Sequence, residues 1–148
     1  MGEGFGAMVH AVTPMVAISV EKTIFWKIAI EREHQLVRLI RTPAPYVELS
    51  DINASFVQVD RALQAIDRKS WRLLVDLREG PRRNDTEFEA QMDRYRKGLV
   101  TSFRRTALIV KSATGLLQVK RHMHEDGALH AAVFMSEIQA MQYLEHGH

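Results

Sequence analysis

Histidine, aspartate and arginine are the residues whose types could carry chemistry in this chain, and cysteine is absent. Without cysteine there is no disulfide, no thiolate nucleophile and no Cys-ligated zinc or iron–sulfur cluster. Of the seven histidines, His122, His124, His130, His146 and His148 lie toward the end of the chain. His122 and His124 are two apart, so a helix turns them to different sides, whereas zinc-binding helices pair histidines at i and i+4. No metal and no cofactor is expected from this set. Asp76 closes a short apolar run, at the kind of strand end where parallel sheets hold ligands. Local spacing puts neither a histidine nor a second acid beside it, as a general-base or paired-carboxylate mechanism would need. No Gly-rich phosphate loop or nucleophile elbow is present. The chain reads as a non-enzyme.

The arginines are the other candidate. Arg78, Arg82, Arg83 and Arg94 fall in one stretch that continues through Arg96, Lys97, Arg104 and Arg105, and Asn84 and Asp85 sit among them. Arginine grips carboxylate or phosphate through two parallel N–H donors, so this stretch is expected to dock an acidic partner or an anion. Glu79, Glu87, Glu89 and Asp93 are interspersed, and a balanced, solvated helix face is the competing reading. A formal net charge of +2 is too small for a phosphate-tracking surface, so nucleic acid is not an expected partner.

Elements must hold these residues in place, and the pattern supplies them. The chain has 148 residues, 46% hydrophobic and 26% charged, which suits one domain with a proper core. Residues 1–20 carry weak signals and are expected to form a loosely ordered leader, with a single domain over 21–148. The runs Thr23–Ile30 and Gln35–Arg41, split by a charged break, predict a β-hairpin that Pro43 and Pro45 terminate. Ser50 is a credible cap for a helix with Ile52, Phe56, Val59, Leu63 and Ile66 on one face. Trp71–Leu77 and Arg105–Val110 read as strands covered on both sides. Between them Asn84 or Asp85 caps a helix striped by Phe88, Met92, Tyr95 and Leu99. Ser112 or Thr114 caps the next helix, Gly127 ends it, and His130–Phe134 is the last strand. Ser136 opens a terminal helix with Ile138, Met141 and Leu144 inward. The expected class is α/β: an N-terminal hairpin, then alternating helices and strands, giving a mixed but mainly parallel sheet. Alternation along the hairpin would turn either Phe25 or Trp26 outward, where it could make a homodimer face.

That element order, with Leu74-Val75-Asp76-Leu77, the loop Gly80–Asp85, Phe103–Val110, Thr114–Val119 and Val133-Phe134 before Ser136-Glu137, resembles the STAS or SpoIIAA-like superfamily, which is grouped with Sec14-like lipid-binding folds. The resemblance covers roughly residues 20–145. It implies a regulatory module that binds another protein. Antagonists of this group carry an Asp-Ser-Ser-Gly-like turn whose serine is phosphorylated. The matching place here is Asn84-Asp85-Thr86-Glu87, which keeps one hydroxyl, on Thr86, and lacks the glycine. A phosphate on Thr86 would meet the free N–H groups of a helix start, with Arg82 and Arg83 nearby.

The expected function is therefore non-catalytic partner docking through residues 78–97. A second expectation is a small-ligand or lipid carrier with a pocket between the sheet and residues 114–126, lined by Leu116, Leu117 and Met123. The longest apolar runs fall far short of the ~20 residues of a membrane span, and a cytoplasmic location is expected.

Overall fold

Among the described residues three strands precede the helix that begins at Leu49, one more than the sequence pattern announces. The computed structural model describes residues 18–82 and 85–148. β1 (Ile18–Lys22) pairs antiparallel with β2 (Trp26–Glu31), which pairs antiparallel with β3 (Leu36–Arg41). β1 begins inside the segment expected to be a leader, and all five of its residues are exposed. Thr23 makes the turn into β2, its hydroxyl oxygen accepting from the Phe25 and Trp26 backbone N–H groups at 3.2 and 3.0 Å.

From β3 onward the chain alternates. α1 (Leu49–Ala62), β4 (Arg72–Asp76), α2 (Thr86–Ser102), β5 (Arg105–Ile109), α3 (Ala113–Asp126), β6 (Ala131–Phe134) and α4 (Glu137–His146) follow in order. The sheet has six strands ordered as in the sequence, with β3, β4, β5 and β6 mutually parallel. Strands that always advance to the same side, joined by crossovers of one hand, leave every crossover helix on the same face. α1, α2 and α3 accordingly share one large core, built on Val37, Leu39, Leu73, Val75 and Leu108. The intervening residues Leu36, Leu74, Ala107 and Ile109 point the other way and meet Ala140 and Leu144 of α4.

The helix ends follow local chemistry. Ser112 Oγ accepts from the Gly115 N–H at 3.1 Å, and Ser136 Oγ from the Gln139 N–H at 3.3 Å. Gly127 ends α3 in the left-handed region, φ +67°. α1 starts before the expected Ser50: Asp51 Oδ2 accepts from the Val47 and Glu48 N–H groups, making Glu48 the cap. That bonding holds the Asp51 carboxyl below its ordinary pKa.

Two packing expectations are corrected. Ile138 is 71% exposed, and the inward positions of α4 are Ala140 and Leu144, four apart. Phe25 and Trp26 are both buried, so no aromatic faces outward from the hairpin. Phe25 lies in the bend before β2, outside the pleat, and strict alternation does not govern it.

Candidate functional site

β4 and β5 end at the same edge of the sheet, and the connection from Leu77 to Asp85 must climb from that edge to the start of α2. Under the part of that connection formed by Leu77, Gly80, Pro81 and Arg82 lies a cavity of about 360 Å³. Val75 and Leu108 form its floor, Phe56 comes from α1, Phe88, Met92 and Leu99 from α2, and Val119 and His122 from α3. Strand ends of parallel sheets are where such folds leave room for ligands. α2 is fixed over the cavity through α1: the Phe56 and Tyr95 rings stack at 4.8 Å, and Asn53 Oδ1 accepts from both Gln91 and Tyr95.

Arg41 is the unusual wall residue. It ends β3 on the same side as Val37 and Leu39, and it is only 6% exposed. Its Nη1 donates to the Phe25 and Thr42 carbonyl oxygens at 3.3 and 2.8 Å. Its guanidinium carbon lies 4.3 Å from the Tyr46 ring centre, 5.5 Å from Phe25 and 5.9 Å from Trp26. Burial pushes its pKa below the usual arginine value, with Tyr46 opposing. Among the described residues no carboxylate pairs with it. Trp26, on the same wall, keeps a buried indole N–H without an acceptor. The loop crosses close by: a Cβ on Gly80 would sit 2.8 Å from Arg41 Cγ, so only glycine lets the backbone pass.

Of the arginines singled out from sequence, Arg82 and Arg96 meet in the lining of the cavity, and the others described lie elsewhere. Arg78 is held by Asp76, with Nε to Oδ1 at 3.0 Å and Nη2 to Oδ2 at 2.8 Å, and by Glu137 at 3.1 Å. Burial pushes the Asp76 carboxyl up, but its bonds from Arg78 outweigh this and hold it below the ordinary value. Arg82 lines the cavity and donates to Ser112 Oγ at 3.0 Å. Arg94 is exposed on α2. Arg96 pairs with Asp93, and Arg105 stands at the opposite edge of the sheet, on the α4 side. Asp85 caps α2, and Thr86 is its first, exposed residue. Arg83 and Asn84 lie outside the described residues.

The pocket residues expected on α3 also fall differently. Leu117 is 66% exposed, Leu116 packs at the margin of the core and Met123 is buried within it. The helix meets the cavity with Gln118, Val119 and His122 instead. Glu89, Asp93 and His122 bring their donor atoms within 4.8 Å of one another across α2 and α3. Asp93 already accepts from Arg96 and lies 3.9 Å from His122 Nδ1, so this is an ion-pair cluster as it stands. Sequence reasoning passed over Arg41, although the period of two that places Val37 and Leu39 inward places it inward too.

An α/β sheet opened by an antiparallel hairpin, with parallel strands in sequence order and helices on both faces, is the SpoIIAA-like fold. A solved structure agrees: an uncharacterized protein of the DUF3478 family with a SpoIIAA-like fold, from Shewanella loihica PV-4, superposes with a TM-score of 0.54 at 13% sequence identity, covering 86% of this chain and 92% of that one. This likeness concerns the fold. No protein-family model matches the chain, and no curated protein matches it. Among the described residues no helix is long and apolar enough to cross a membrane.

Proposed function

We propose that this protein is a non-catalytic binding module whose ligand occupies the cavity beneath Leu77–Arg82. The observation that carries this reading is the cavity itself: about 360 Å³, with mostly apolar walls and a few convergent polar groups. That size and character are typical of small-molecule sites. Native mass spectrometry of protein purified from cells tests it: a co-bound small molecule is expected in the wild type and lost in Val119→Trp, which fills the cavity from α3. A wild type that carries no adduct, and whose melting temperature no apolar compound raises, speaks against the reading.

A second reading, docking of a protein partner through residues 78–97, is supported by the exposed side of α2, where Arg94 and Lys97 make no ion pair among the described residues. Arg78 is half-exposed but engaged by Asp76 and Glu137, away from the exposed side of α2. A pull-down in which Arg94→Glu with Lys97→Glu captures the same proteins as wild type rejects it.

A further inference from the structure

We infer that the cavity selects an amphipathic oxyanion, with its head group on Arg41 and its apolar body against Phe56, Phe88, Met92 and Leu99; this rests on the cavity being a ligand site. A buried arginine is normally matched by a carboxylate, because removing an unpaired charge from water is costly. Arg41 has no such match among the described residues. Its neighbours are two backbone carbonyls, the Tyr46 side chain as a further hydrogen-bond partner, and three aromatic rings, none of them a full negative charge, and they use only part of a five-donor fork. A planar carboxylate or a phosphate monoester accepts two parallel N–H bonds from what remains. The Trp26 indole N–H, buried on the same wall with no acceptor, is a second donor seeking an oxygen. Arg82 adds another positive charge to the lining.

The other walls set the rest of the molecule. Beyond Arg41 most of the lining is aliphatic and aromatic, with Arg82, Arg96, Glu89, Gln118 and His122 as its polar members, and about 360 Å³ holds roughly a dozen groups of ~30 Å³ each. Glu89 and His122 lie on the α2–α3 wall, and Glu89 disfavours a second negative charge there. One anionic end and an uncharged body is the chemistry that fits.

Titration calorimetry with decanoate, decyl phosphate, decanol and decyltrimethylammonium separates the possibilities. Both anions are expected to bind wild type at least about tenfold more tightly than decanol, a ratio within reach of one charge-assisted contact, and the ammonium compound not at all. The better of the two anions identifies the head group. Arg41→Met should bring anion affinity to within about twofold of decanol while decanol binding persists; Arg41→Lys, which keeps the charge and loses the fork, should retain part of the preference. Urea melts of both variants confirm folding. Equal binding of decanol and decanoate to wild type, or an undiminished anion preference in a folded Arg41→Met, overturns the inference. If decanol binds and Val119→Trp blocks it, such a failure leaves the cavity reading intact. Binding that Val119→Trp does not disturb, or no binding of any of the four, overturns both.

Discussion

On the side of the sheet covered by α4, arginines end on groups that satisfy them, whereas on the side covered by α1–α3 the buried Arg41 finds no counter-charge among the described residues. Arg105 and Arg72 both donate to the Leu144 carbonyl oxygen, at 2.7 and 3.2 Å, and so cap the carbonyl end of α4. Arg78 and Arg38 reach Glu137 in the first turn of the same helix, at 3.1 and 3.7 Å. Four arginines thus clamp one helix at both ends. The comparison teaches that residue type says little by itself: the same guanidinium is a fastener where carboxylates or a helix's carbonyl end meet it, and at Arg41 it is buried against backbone carbonyls and rings instead.

The contrast can be broken at the fasteners first. Arg105→Ala should cost about 1.5–3 kcal/mol, the usual range for hydrogen bonds from a charged donor, and hydrogen exchange should show α4 opening more often than the rest. An Arg105→Ala variant as stable as wild type would mean that Arg105 is not one of the groups that fasten α4. Asp76→Asn is expected to have a smaller effect, about 1 kcal/mol at neutral pH, because the Asp76–Arg78 pair is partly solvated. The folded Asp76 carboxyl has a depressed pKa, so its contribution is complete above the ordinary aspartate value of ~3.9 and fades as pH falls through the lower folded value. The wild-type and Asp76→Asn stability curves should therefore converge below about pH 4; curves that stay parallel to lower pH would show that the charge is not what matters. Arg41→Met should change stability least, by under ~1 kcal/mol in either direction. Its burial disfavours the cation, and the Phe25 carbonyl keeps its bond from the Thr42 N–H at 2.9 Å. A large loss in Arg41→Met would place Arg41 among the fasteners and erase the contrast.

Much of the fold was legible because its signals are local. Ser112, Gly127 and Ser136 mark helix ends by chemistry confined to a few neighbours, and the apolar runs of β4 and β5 declare strands buried on both faces. β1 was not legible: a five-residue edge strand with every position exposed has no burial alternation to reveal it. Glu48 was passed over as a cap because Ser50 matched the propensity better, whereas the Asp51 side chain decided the start. α4 misled through Ile138, since the small Ala140 holds the inward position. The site was the least legible part. Arg41, Gly80, Phe88 and His122 are far apart in the chain and meet only when β3, the Leu77–Asp85 connection, α2 and α3 converge. No spacing rule encodes such a meeting.

The near-contact of Gly80 with the Arg41 stem has a mechanical corollary. With less than a methyl group's room between them, that stem cannot swing toward the loop unless the backbone gives way. Toward the cavity no such obstacle exists at Gly80, so the freedom of the Arg41 stem is one-sided, open inward and closed against the loop.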